Sequence, residues 1–184
     1  MRRPRGIGLP LTAAALVFGI AATLLGSEQV EDAIDRLLST AGPARVSFDG
    51  AARVVDGDTL EVSGRRVRLA GVDAPELAQT CLGGDGRSLA CGQQVRAALA
   101  AFIGNNVVSC QEIGNDRFER ILARCRVRGQ DLAAWLVTSG LAAAYAGRSD
   151  AALRAAEASA RAAGTGLWAG EFERPDIWRR RHND

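Results

Sequence analysis

Two short acidic segments follow one another closely in this chain. Val54-Val55-Asp56-Gly57-Asp58-Thr59-Leu60 sets two carboxylates around a glycine, and Arg68-Leu69-Ala70-Gly71-Val72-Asp73-Ala74-Pro75-Glu76 adds two more. Taken singly, each reads as a turn, since Asp-Gly is among the commonest turn pairs. Taken together, they flank a hairpin that brings Asp58 and Asp73 from different strand ends towards one place. Two carboxylates that meet repel each other unless a cation lies between them. An all-oxygen ligand set favours a hard ion, Ca²⁺ or Mg²⁺. Glu76, three residues beyond Asp73 and stiffened by Pro75, is placed to orient or deprotonate a water. Asp56 reads as a residue that closes the turn.

Arginine supplies the opposite charge. Arg68 alternates with Val67 and Leu69 along a strand, so its side chain points away from their apolar face. A guanidinium matches phosphate oxygens in pairs and stays charged at any working pH. Arg120 is the second candidate, whereas Arg124, Arg126 and Arg128 read as a solvated strand edge. Two guanidiniums and a divalent cation would together neutralise the charge that builds up on a phosphodiester under attack by water.

The elements that must position these groups are short. Strand patterns cover 46–48, 51–55, 59–62 and 66–70, with Ser63-Gly64 as a tight hairpin turn. A helix is predicted over 92–103, with Val95, Leu99 and Phe102 on one face, and strands over 107–113 and 120–127 follow. Asp131 caps a helix to about Ser139, and a third helix spans 149–163. Leu167-Trp168 reads as an apolar plug. Strands, one helix within the strand series, then two helices is an α+β order. An OB-type barrel packs a helix this way and presents loops to oligonucleotides.

Bulk properties add limits. The 184 residues carry a net charge of +2, and every basic residue other than His182 is arginine. With Arg2, Arg3 and Arg5 set aside, 20 arginines face 21 acids, so overall charge does not mark a nucleic-acid binder. Residues 6–27 contain no charge, long enough for a membrane span. With the arginines before them they read as an uncleaved anchor or a cleaved signal peptide over 1–27. Residues 28–45 read as an amphipathic stalk, 46–170 as the folded domain and 171–184 as a basic, solvated tail. There are four cysteines, no CxxC pair and one histidine, which argues against zinc. An even cysteine count on an exported chain suggests disulfides. Cys81 and Cys91 bracket one loop, while Cys110 and Cys125 fall on neighbouring strands, so Cys81–Cys91 and Cys110–Cys125 are the expected pairs.

The runs VVDGDTLEV, VRLAGVDAPE, NDRFERILARC and AEASARAAGTGLW resemble the staphylococcal-nuclease-like (thermonuclease) family from Val46 to Trp168. The resemblance implies an OB-type five-stranded barrel with three helices and Ca²⁺-dependent cleavage of DNA and RNA. It implies that Asp58, Asp73 and the backbone carbonyl of Ala74 hold calcium. Arg68 and Arg120 would bind phosphate, and Glu76 would manage the attacking water. Tyr145 matches an aromatic beside the bound nucleotide, and Arg117 is a further candidate for substrate contact. Phe118-Glu119 stands where the family usually has Tyr-Gly, which predicts weaker substrate binding. The expected protein is a monomeric, low-specificity nuclease outside the cytoplasm, membrane-anchored or released after signal cleavage. The competing expectation is a non-catalytic OB module that holds nucleic acid on the cell envelope.

Overall fold

The computed structural model describes residues 46–116 and 118–182. The expected anchor or signal helix, the stalk and Arg117 lie outside the described residues. Among the described residues, no helix is long and apolar enough to cross a membrane.

Strands β1 (Ser47–Gly50), β2 (Ala52–Val54), β3 (Thr59–Val62) and β4 (Arg65–Leu69) come first. Three short strands follow, β5 (Val72–Asp73), β6 (Cys81–Leu82) and β7 (Ser88–Leu89). Helix α1 (Cys91–Ile103) precedes β8 (Val108–Asn115), β9 (Ile121–Val127) and β10 (Gln130–Asp131). Helix α2 (Leu132–Thr138), β11 (Ala143–Ala144), α3 (Ala151–Ala162), a 3-10 turn (Gly166–Ala169) and α4 (Pro175–His182) complete the described residues.

The main sheet runs β1-β8-β9-β4-β3-β2, with β10 on β9. The expected α+β architecture, an OB-like barrel with helices, is present; the described hydrogen-bonded path has seven short strands in place of five and is not closed, and β1 and β2 at its two ends are successive strands separated by Ala51 alone. The expected three helices are also too few. The described residues form four, and the fourth lies in the segment that reads from sequence as a solvated tail.

Local rules explain the hairpin that matters most. Ser63 and Gly64 both have positive φ, 49° and 77°, the signature of a turn whose twist matches that of the flanking strands. That turn sets β3 against β4 so that Thr59 faces Arg68. The Leu69 amide donates to the Asp58 carbonyl at 2.8 Å, which extends the pairing one step to the acid. Strand β9 lies parallel to β4, with Val67 opposite Ile121, so Arg120 enters the same end of the sheet as Arg68.

The core lies under this surface. Leu60, Val67 and Leu69 of the sheet are buried with Val95, Leu99 and Ile103 of α1 and Leu132 and Leu136 of α2. Asp131 and Asp150 cap α2 and α3 by accepting from the amides of Ala134 and Leu153, which satisfies donors that a helix start leaves unpaired.

Both expected disulfides are present, Cys81–Cys91 and Cys110–Cys125. The second joins residues directly opposite each other on β8 and β9. The first ties the loop after Glu76 to the start of α1. There Gly92 is indispensable: a Cβ on it would lie 1.8 Å from the Glu76 carbonyl oxygen. Cross-linking residues across a short loop restricts the unfolded chain, so the Cys110→Ala/Cys125→Ala double variant is expected to lose about 3 kcal/mol of stability. Urea denaturation of the oxidised protein and the variant measures that difference.

Candidate active site

Burial sets the first constraint. Asp58 and Asp73 are both almost wholly inaccessible, at 4% and 1% exposure. A buried carboxylate is tolerated only when hydrogen bonds and opposite charge replace the lost water. Arg68 supplies both. Its Nη1 donates to Asp58 Oδ1 at 2.6 Å and its Nη2 to Asp73 Oδ1 at 3.0 Å. The other Asp58 oxygen accepts from the Ala74 amide at 3.1 Å, and Thr59 Oγ1 lies 3.2 Å from Oδ1. The Asp58 amide donates to Asp56 Oδ1 at 3.1 Å, so Asp56 closes the turn as its position suggests.

A second guanidinium extends the arrangement. Arg179 of α4 donates from Nη1 to Asp73 Oδ1 at 3.0 Å and to Glu76 Oε1 at 2.8 Å. Its Nη2 donates to Asp73 Oδ2 at 2.9 Å. The result is an alternating series, Asp58, Arg68, Asp73, Arg179, Glu76, in which each arginine bridges two acids. Nothing in the sequence marks Arg179 among its neighbours Arg180 and Arg181; only the path of the tail selects it.

Even so, Asp58 is under-compensated. Burial raises its pKa to about 7, helped by the nearby charges of Asp56 and Asp73, against the pull of Arg68 and the Ala74 amide. An acid whose folded pKa is raised costs stability above its unfolded pKa, and that cost grows until the pH passes the folded value. An additional cation beside Asp58 would offset it. Two buried carboxylates with only oxygen donors, already bridged by positive groups, therefore fit a hard divalent ion. They form an open edge and not a cage: among the described residues, no group of three or more acidic, histidine or cysteine side chains is arranged to enclose a metal. Water and substrate oxygens would supply the remaining ligands.

Arg120 reaches the same cleft by another route. Asp116 holds it twice, from Arg120 Nε to Oδ2 at 2.6 Å and from Nη2 to the same oxygen at 2.6 Å. Asp116 Oδ1 also accepts from the amides of Phe118 and Arg120, at 2.8 and 3.0 Å. One carboxylate thus shapes the loop and aims the guanidinium, and sequence reading did not single it out. Glu119 has φ 60°, the left-handed region that glycine adopts freely and other residues at a cost. That conformation accounts for the glycine usual at this position in the resembling family. Arg120 also lies 5.5 Å from the centroid of the Phe118 ring, which is 64% exposed.

The cleft that collects these groups has a volume of about 310 Å³. Asp58, Arg68, Glu76, Arg120, Tyr145 and Arg179 all line it. Tyr145 is held there because its amide donates to the Gly71 carbonyl at 2.9 Å, where β11 pairs with β5. Arg68 and Arg148 each stand 5.9 Å from its ring centroid. A separate hollow of about 430 Å³ between β2 and α1 contains Arg53 and Arg96 but no acid, so it cannot run the same chemistry.

Glu76 owes its position to Gln79, which is fully buried. The Glu76 amide donates to Gln79 Oε1 at 3.2 Å, and Gln79 Nε2 donates to the Glu173 carbonyl at 2.7 Å. One amide side chain therefore couples the Glu76 loop to the C-terminal segment. Of the residues predicted from sequence, Asp58, Arg68, Asp73 and Glu76 are joined through hydrogen bonds, and Arg120 and Tyr145 line the same cleft.

The sequence profile described as staphylococcal nuclease homologue matches residues 66–170, and the chain belongs to that family. It is 37% identical over 126 residues to succinoglycan biosynthesis protein ExoI of Rhizobium meliloti (strain 1021), a match covering 67% of this chain and 66% of that protein. It is 33% identical over 135 residues to an uncharacterized endonuclease of Haemophilus influenzae, covering 70% of each chain. A probable endonuclease of Phaeosphaeria nodorum is 35% identical over 114 residues, covering 56% of this chain and 37% of that protein. The chain thus spans just under two thirds of the first of these relatives.

Asp116 gives a pH-dependent test. Burial disfavours its charge, yet the Arg120 side chain and the two amides outweigh burial and hold its pKa below the usual range. A depressed carboxylate adds stability above its unfolded pKa of about 3.9 and loses it as the pH falls through the folded value. Asp116→Asn should therefore be less stable than the parent by roughly 1–3 kcal/mol at pH 7. The gap should close as the pH drops below about 4. Thermal denaturation across that range measures it; a gap that persists unchanged into strong acid would exclude this role for the carboxylate.

Proposed function

We propose that the protein is a calcium-dependent phosphodiesterase that hydrolyses DNA, RNA or both outside the cytoplasm, with low sequence specificity. One observation carries the reading: buried Asp58, partly exposed Glu76, Arg68 and Arg120 line one cleft, with buried Asp73 bridged to Asp58 through Arg68, in a chain of the nuclease-homologue family. Two of its relatives carry endonuclease in their names.

The geometry supports the following roles. Asp58 and Asp73 would hold the calcium ion, with the Ala74 carbonyl as a further ligand; when bound, the ion supplies positive charge to a non-bridging phosphate oxygen. Glu76, whose side chain is 35% exposed, can take a proton from a water that attacks phosphorus in line. The new bond is water oxygen to phosphorus, and the bond to the leaving ester oxygen breaks. Arg68 and Arg120 oppose the charge that grows on the phosphoryl oxygens. Tyr145, with Arg148 5.9 Å from its ring centroid, would flank the path of the nucleotide. A site centred on phosphate carries little base information, hence the low specificity. The two disulfides agree with an oxidising compartment and with the anchor or signal reading of residues 1–27.

The test is incubation of the exported domain with single-stranded DNA and RNA, in Ca²⁺ or in chelator. Calcium-dependent degradation is expected. Arg68→Ala and Arg120→Ala should each lower the rate by about 10²–10³-fold, and Glu76→Gln by about 10²–10⁴-fold. Tight binding with no product under any of these conditions would favour the non-catalytic module instead.

A further inference from the structure

The C-terminal segment lies beyond the matched residues 66–170, yet it reaches the centre of the site. Arg179 makes three hydrogen bonds there, two to Asp73 and one to Glu76, all between 2.8 and 3.0 Å. Those acids are the expected calcium ligand and the expected water-managing group. A guanidinium keeps its positive charge at any working pH. It is a cation delivered to the place where a divalent cation is expected.

We propose that Arg179 is a tethered plug that competes with the divalent ion for Asp73 and withholds Glu76 from water, so that α4 must release it before the site can load. The inference rests on the calcium reading of Asp58 and Asp73 given above.

The anchoring of the segment separates a fixed root from a releasable tip. At the root, Arg174 donates to Glu157 Oε1 and to the Ala144 carbonyl, both at 3.0 Å. Gln79 holds the Glu173 carbonyl, and Pro175 is buried. Beyond Pro175 no residue of α4 is buried. Arg180 pairs with Asp176 within the helix, and Trp178 stacks on His182. Arg181 donates to Glu173 Oε1 at 2.9 Å, back at the root, and Ile177 and Trp178 are only partly covered, so the ion contacts of Arg179 are what tie the tip to the site acids. Exchange of one cation for another leaves Asp73 paired in both states, which avoids the cost of stranding a buried charge. Release also frees Glu76, so loading and activation of the water-managing group are linked in one movement.

When a competent state is populated only in part, the apparent dissociation constant rises by the reciprocal of that fraction. A plug seated nine-tenths of the time thus weakens calcium binding about tenfold. Calcium titration calorimetry on the substrate-free protein reads this directly. Arg179→Ala should bind Ca²⁺ at least about tenfold more tightly than the parent, while Arg180→Ala, which alters an exposed pair on the same helix, should match the parent. Arg179→Lys, whose single ammonium cannot span both acids, should fall between. Hydrogen exchange on the unaltered protein is the second reading: amides of residues 177–182 should exchange faster once Ca²⁺ is added. Equal or weaker calcium binding by Arg179→Ala, or unchanged exchange in α4 at saturating Ca²⁺, overturns the plug and leaves the calcium reading standing. Absence of calcium binding in the parent and in every variant overturns both.

Discussion

The architecture of the site depends on one constraint: Asp58 and Asp73 are buried together and must be neutralised. Water cannot do it, because both are almost inaccessible. Arg68 does it by placing one nitrogen on each acid. Removal of one member of such a buried group typically costs several kcal/mol, because the remainder is left charged and unpaired. A buried ion network is weak evidence that the fold needs it for stability, since apolar replacements of equal volume often serve as well. The cost of keeping these charges inside is better explained by chemistry that needs them. Burial raises the pKa of Asp58, so positive charge placed beside it favours the ionised form.

The scaffold works to keep that group in register. The Ser63-Gly64 turn sets the pairing of β3 with β4, and a slip of one residue would turn Arg68 into the core and Val67 out. The parallel pairing of β4 with β9 brings the Arg120 loop alongside, and Asp116 then spends both carboxylate oxygens on fixing it. On the other side, Gln79, the Cys81–Cys91 disulfide and the close approach of Gly92 hold the Glu76 loop against α1. Each functional side chain thus has a dedicated support, and the supports come from different parts of the chain.

The C-terminal segment changes the meaning of the cleft. Without it, Glu76 and the outer edge of Asp73 would face solvent. With it, a third arginine completes the alternation of charge and couples the helix to the site through Gln79 and Glu173. A solvated reading of Arg179, Arg180 and Arg181 holds for two of the three: Arg180 and Arg181 are exposed, with side chains near 70% accessible, whereas Arg179 is at 25%.

Much of the site was legible in the order of residues because its geometry is local. An Asp-Gly-Asp turn, a two-residue hairpin and strict alternation along β4 are short-range rules, and they place Asp58, Arg68 and Asp73 within one hairpin and the turn after it. The cysteine pairs were legible for the same reason, one closing a loop and the other joining neighbouring strands. What sequence alone could not decide were contacts made across large separations: the docking of Arg179 on Asp73 and Glu76, the burial of Gln79 between the Glu76 loop and Glu173, and the division of the barrel strands into seven short described strands. Those depend on which surfaces meet once the core has formed. Three adjacent arginines have the same charge and nearly the same neighbours along the chain, and only the direction of one helix over the finished domain makes one of them part of the site.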